Sequence, residues 1–347
     1  MTARDARSEA ARGATPVKVA GQMIQPGERR RIELPTGVLA TGSALPLPLE
    51  VLHGTRPGPR IWMSAAIHGD ELNGVEIIRK LLSELNPHRL AGTILAVPIV
   101  NVQGFLLESR YLPDRRDLNR SFPGSPRGSM ASRLAHLFMQ EVVRGCSLGL
   151  DLHTGSDQRT NLPQIRADLS DPETARLARA FGAPILIHAG LRDGSLRAAA
   201  TAGDTRVLVF EGGEARRFDR SVIEAGTSGV LRVLRELGMR GSGPIPPTQP
   251  SLESRSTSWV RAGRGGLLRL DVDLGERVEK GRRIGVIRDA FGDHALPVRS
   301  NRSGVVVGLT RSPTVNRGDA LVHLATLEGS VRPSAPPAAT LNPDEDP

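Results

Sequence analysis

A chain of 347 residues with 39% hydrophobic residues, 38 Gly and 26 Pro has the length of about two globular domains joined through many turns. Its formal charge of +9 comes from arginines spread through every segment, with lysine only at Lys18, Lys80 and Lys280, and aromatics make up 3% of residues. A nucleic-acid surface clusters its cations and interleaves aromatics, so that partner is excluded and an attraction for small anions is left. The single cysteine, Cys146, rules out an intramolecular disulfide and a cysteine metal cluster. No apolar run approaches the ~18 residues that span a bilayer, and the first residues hold no apolar signal segment. A cytoplasmic location with no membrane partner is expected, and homo-oligomerisation is left open.

In chain order, 1–16 reads as a disordered tail. Over 17–60, short apolar stretches broken by Pro and Gly (MIQPGERRRIELPTG, LPLPLEVLHGTRPGP) predict short antiparallel strands or a hairpin layer. Over 61–240 the pattern changes. Apolar runs IWMSAAI, TILAVPIV, SLGLDL, APILI and RVLVF alternate with helical segments at 73–85, 129–144, 172–181 and 219–237. Continuous apolar runs between helices predict an α/β domain: a mixed, largely parallel sheet flanked by helices. GSGPIPPTQPSLESRSTS (241–258) reads as a linker. Over 259–327 a repeat follows, 260–287 matching 298–324, with Gly266 paired to Gly304 and Gly281 to Gly318. Two similar all-β halves predict a small β-barrel or sandwich domain. No lysine stands between the halves, so a carrier role of the biotinyl or lipoyl kind is excluded. The tail 328–347 reads as disordered on composition.

Ligands of open α/β sheets bind beyond the carboxyl ends of the strands. At those ends stand His68 and Glu71, Asn101, His153, His188 and Glu211. One such residue would be read as a satisfied half-buried polar group; five strand ends delivering them to one rim favour a site. Histidine and carboxylate are ligands for zinc, which in catalytic sites takes three protein groups and a water. His68 and Glu71, three apart across a strand-to-helix turn with Gly69 between, can reach one small volume. A third ligand could come from His153 or His188, and spacing does not choose. Glu211, at the end of an apolar strand before Gly212 and Gly213, suits a general base. Taken alone, HxxE is weak, and its plainer reading is a turn into a helix whose N-terminus favours Asp70 and Glu71. The loop RYLPDRRDLNRSFPG (110–124) carries Arg110, Arg115, Arg116 and Arg120, a candidate carboxylate clamp or else a solvated charged loop.

Taken together and in order, AAIHGDELNG, NVQGF, RRDLNRSFPG, DLHTG and FEGG resemble the succinylglutamate desuccinylase/aspartoacylase family, within the zinc carboxypeptidase-like superfamily. The resemblance spans about residues 60–240, and the C-terminal repeat is similar to the small β domain these deacylases carry over the active site. It implies one zinc ion (Zn2+) per chain, with His68, Glu71 and His153 as ligands, and leaves His188 a structural role. It implies that Glu211 activates the attacking water and returns the proton to the leaving amine. It further implies that Asn119 and Arg120 grip a substrate carboxylate, with Arg110 and Arg197 as looser matches, and that Asp151 supports the site. The reaction so implied is hydrolysis of the amide bond of a small anionic N-acyl amino acid. The alternative is a zinc carboxypeptidase removing a C-terminal residue. A cavity roofed by the β domain would favour the first, an open groove the second.

Overall fold

The computed structural model describes residues 13–38, 41–156, 158–241 and 243–327. The tails expected at 1–16 and 328–347 lie outside them, apart from 13–16, which form no regular element. A tight hairpin comes first, Val17–Val19 (β1) with Gln22–Ile24 (β2). The hairpin layer expected next is two ten-residue strands, Arg29–Val38 (β3) and Ala44–His53 (β4). The α/β region contains Arg56–Ala65 (β5), helix Asn73–Glu84 (α1), Ala91–Val97 (β6), the short helix Val102–Leu106 (α2) and Met130–Phe138 (α3). Helix α3 runs on into a π-helical turn, Met139–Val143. Leu148–Gly155 (β7), Arg159–Ala167 (β8), helix Pro172–Phe181 (α4), Ile185–His188 (β9), helix Leu196–Ala202 (α5), Arg206–Glu214 (β10) and helix Arg220–Glu236 (α6) complete it.

Four parallel strands form the centre in the order β6, β5, β7, β10; β4 and β3 extend one side antiparallel, and β8 the other. Every residue of β6 and β7 is buried, as parallel strands covered on both faces require. Helices α1, α4 and α6 seal one face through Ile77, Leu81, Phe181, Val222 and Val230. The opposite face is sealed by α3, α5 and the β1–β2 hairpin, through Phe138, Leu196 and Ile24 around Trp62. None of the described helices is long and apolar enough to cross a membrane.

The stretch 241–258 contains structure the composition hides. Leu252–Ser254 (β11) adds parallel to β9, and Ser256–Arg261 (β12) opens the C-terminal region. There the repeat appears strand for strand. Gly266–Leu270 (β13), Arg277–Val278 (β14) and Arg283–Arg288 (β15) of the first half correspond to Gly304–Thr310 (β17), Thr314–Val315 (β18) and Ala320–Thr326 (β19) of the second, while Leu296–Arg299 (β16) corresponds to β12. The pairings are swapped symmetrically: β12 with β19 and β16 with β15, β13 with β18 and β17 with β14. The two resulting sheets enclose one apolar core around Val260, Ile284, Ile287, Val306 and Leu324. Only one of them joins the main sheet, through β17 against β8.

Candidate metal centre and its cavity

Strand β5 ends at Ala65, and the chain turns through Ala66, at φ 49°, into His68 and Glu71. The turn packs against helix α2 so closely that a Cβ on Gly69 would lie 2.0 Å from the carbonyl carbon of Gly104. Glycine is required there because no side chain fits. The Glu71 carboxylate, 2% exposed, faces two imidazoles: Oε1 is 2.7 Å from His68 Nδ1 and Oε2 is 2.8 Å from His153 Nδ1. His153 is backed at Nε2 by Asp151 Oδ2 at 2.8 Å, and Asp151 in turn accepts from Ser64 Oγ at 2.7 Å. The register of β5 on β7 sets Ser64 opposite Asp151, and that of β10 on β7 sets Glu211 opposite His153.

Burial would push Glu71 up, but the charges of His68 and His153 outweigh it and hold the carboxyl well below the usual range. Burial likewise pushes His153 down, and Asp151 and Glu71 reverse this to raise it well above an ordinary histidine. His68 is also raised, burial being outweighed chiefly by Glu71. A buried carboxylate between two proton-holding imidazoles is a set of groups from which a cation can displace protons. One ligand atom from each of His68, Glu71 and His153 lies within 4.8 Å of the others, and all three residues are buried. The donor set fits zinc: two imidazole nitrogens and one carboxylate, with an imidazole oriented by a carboxylate behind it. His68 Nε2 is buried without a hydrogen-bond partner, 3.4 Å from Asp117 Oδ1.

These groups line a cavity of about 610 Å³ that also takes in Arg110, Asn119, Arg120, Arg197 and Glu211. Arg110 donates to Asp117 Oδ2 and Ser156 Oγ, both at 2.9 Å. Asn119 accepts from Leu196 N at 2.9 Å, which ties the DLNR segment to the start of α5. Arg197 is aimed by the carbonyls of Ala189 and Gly190. Glu211 is held at both oxygens, Oε2 accepting from Asn161 Nδ2 at 2.8 Å and Oε1 lying 3.5 Å from Arg166 Nη1.

Two of the strand-end groups make local hydrogen bonds instead. Asn101 caps α2, its Oδ1 accepting from Gly104 N at 2.8 Å. His188 accepts from Leu169 N at 3.1 Å and does not line the cavity. The sequence reading missed Arg159, Asn161 and Arg166 because it did not foresee β8, whose apolar run is broken by Pro163 and by polar residues facing the cavity. It expected a β domain over the site but did not name the residues of this roof, where Thr257, Ser258 and Trp259 of β12 and His323 of β19 line the cavity. The available signal was an aromatic and a histidine on two strands otherwise rich in Val, Leu, Ser and Thr.

Residues 57–237, just over half of the chain, match the Succinylglutamate desuccinylase/Aspartoacylase catalytic domain. The chain belongs to the succinylglutamate desuccinylase/aspartoacylase family. Among this family's curated proteins, an N-alpha-acetyl-L-2,4-diaminobutyric acid deacetylase of Halomonas elongata is 29% identical over 290 residues, which cover 79% of this chain and 84% of the relative. A succinylglutamate desuccinylase/aspartoacylase from Rhodobacter sphaeroides superposes with a TM-score of 0.79 at 25% identity, over 91% of this chain and 100% of its own. The product-bound ectoine utilization protein EutE (DoeB) of Ruegeria pomeroyi shares the fold, with a TM-score of 0.79 at 23% identity over 90% of this chain and 99% of its own. Both superpositions extend past the catalytic domain into the C-terminal strands, since it ends at residue 237 and they cover nine-tenths of the chain.

Proposed function

We propose that the protein is a zinc-dependent amidohydrolase that removes the acyl group from an N-acyl amino acid or a related small carboxylate. The observation that carries this is the convergence of His68, Glu71 and His153 in one cavity, with Glu211 on the neighbouring strand in register with His153. The family, whose relatives are named as deacylases, points the same way. His68, Glu71 and His153 would hold one zinc ion, which supplies a Lewis acid and a water of lowered pKa. Asp151 fixes the ring of His153 through Nε2 and so the direction of its Nδ1 lone pair. Glu211 takes a proton from the attacking water and delivers it to the departing amine nitrogen. Asn161 and Arg166 keep that carboxylate pointed while it does so. Asn119 and Arg120 orient the substrate through a carboxylate, with Arg110 and Arg197 beside them. The roof of Thr257, Ser258, Trp259 and His323 supports a small substrate over the C-terminus of a long peptide, and so a deacylase over a carboxypeptidase.

The test is metal analysis of protein purified without chelators, followed by a hydrolysis screen of N-acyl amino acids and short peptides with zinc added. Bound zinc and amine release from N-acyl amino acids are expected, and Glu211→Gln should lower kcat at least 100-fold while leaving the metal content unchanged. Protein that binds no divalent ion, or Glu211→Gln with full activity, would refute the reading.

A further inference from the structure

Asn73 opens helix α1 two residues after Glu71 and is fully buried. Its side chain bonds to another part of the chain. Nδ2 donates to the carbonyl of Gly212 at 3.3 Å, and Oδ1 accepts from Asp219 N at 2.8 Å, across 139 and 146 residues of chain. Gly212 is the residue after Glu211, and Asp219 caps helix α6 by accepting from Ser221 N and Val222 N. One amide therefore joins the turn that carries His68 and Glu71 to the segment that carries Glu211.

Strand β10 pairs in step with β7 and β8 as far as Glu211, then slips register against both, and Gly212 pairs with neither. Such a bulge re-aims a side chain at a site and leaves a backbone group without its ladder partner. On the β8 side stands Pro163, whose Cα would lie 3.4 Å from a Cβ on Gly212 and whose nitrogen has no hydrogen to donate. The buried Gly212 carbonyl still needs a donor, and Asn73 supplies it. The fit is close. A Cβ on Gly212 would lie 2.7 Å from Val222 Cγ1, and one on Gly213, at φ 71°, 2.7 Å from Asn73 Nδ2. Two backbone bonds run alongside, Arg216 N to Asp70 O at 2.7 Å and Ala215 N to Gly155 O at 2.9 Å. Residues 212–219 are thus tied to the His68–Glu71 turn on one side and to the strand of His153 on the other. Asn161 and Arg166 aim the Glu211 carboxylate, while these ties fix the backbone next to it.

We infer that Asn73 is a positioning residue for the hydrolysis: its amide holds the bulge at Gly212 and so fixes where Glu211 stands relative to the His68–Glu71–His153 centre. This rests on the deacylase reading and deepens it. A base that must reach the attacking water and then the departing nitrogen tolerates little displacement, and an error near 1 Å in such placement costs about 100-fold. Asn73 does not line the cavity, so its effect on the reaction passes through the segments it joins.

The experiment uses two variants of the zinc-loaded full chain. Asn73→Ser is too short to reach Gly212; Asn73→Asp keeps the size and the acceptor facing Asp219 but loses the donor. Each is measured on whichever N-acyl amino acid of the hydrolysis screen the wild type turns over fastest, and where one variant does not unfold cooperatively the other decides. A kcat at least tenfold lower is expected, with KM within twofold and zinc affinity in chelator competition within threefold. Added to Glu211→Gln, the same substitutions should lower the residual kcat by less than twofold, because a residue that acts through Glu211 has nothing left to place. General loss of structure would lower kcat equally on both backgrounds. A smaller loss of kcat, an equal loss on both backgrounds, or a loss that follows zinc affinity would overturn the inference and leave the deacylase reading standing. If the wild type hydrolyses no compound, the deacylase reading fails and hydrogen exchange of the full chain decides whether the tie exists. Exchange of residues 212–219 at least tenfold faster in Asn73→Ser, with 61–65 unchanged, supports it, and unchanged exchange of 212–219 overturns it.

Discussion

Two of the buried histidines that line this cavity are driven to opposite states. His153, on the rim of the parallel sheet, has Asp151 on one nitrogen and Glu71 on the other, and is raised well above an ordinary imidazole. His323, in the roof, has an indole against its face and arginines nearby, and is lowered to about 3. Burial alone pushes both downwards; only the carboxylates reverse it. The two environments therefore suit different work: an imidazole backed by carboxylates is prepared for a cation, and a neutral stacked one for a hydrogen bond.

Removing the carboxylate that distinguishes the rim gives the largest expected effect. Glu71→Ala leaves two imidazoles facing each other with ring centroids 5.1 Å apart, and should abolish stoichiometric metal binding together with at least 1000-fold of activity, read by metal analysis and amine release. Asp151→Asn keeps all three donors but weakens the group behind His153. Metal affinity should fall about 10- to 100-fold in chelator competition, and an unchanged affinity would separate Asp151 from the metal centre.

On the roof side, the contrast should appear as acid sensitivity. With a folded value of about 3 and an ordinary unfolded value near 6.5, His323 takes up a proton on unfolding between those limits. Its contribution to stability is therefore complete above about pH 6.5 and is lost as the pH falls towards 3. His323→Phe should lose less stability over that window than the wild type in denaturant titrations. Parallel curves would show that the roof histidine does not titrate as its surroundings imply. The smallest effect is expected where rim and roof meet. A Cβ on Gly308 would lie 2.9 Å from Asn161 Oδ1 and 3.3 Å from His323 Cβ, so Gly308→Ala must shift Asn161 or the roof. A cost of about 1–3 kcal/mol by urea unfolding is expected, as for overpacked interiors, with kcat lowered because Asn161 holds Glu211.

The central sheet was readable in the chain because parallel strands buried on both faces carry near-continuous apolar runs, as in β6 and, apart from the site residues Asp151, His153 and Thr154, in β7, and helices α1, α4 and α6 carry a helical apolar period. The repeat, the rim residues and the resemblance to the family were readable for the same kind of reason: each is a local pattern of residue types. By itself, then, the sequence determined which segments form the parallel core and which short motifs meet at its rim. Tertiary structure alone decided which strand ends share a cavity. His188 and Asn101 stand at strand ends as His153 does, yet local hydrogen bonds absorb them. β8 was hidden because a strand with one face on a polar cavity loses the apolar signature. Pairing β17 with β8 brought His323 and Trp259 to residues about a hundred positions or more earlier in the chain. Periodicity is set by neighbours three or four residues away, whereas strand pairing across such distances is set by the packing of whole sheets.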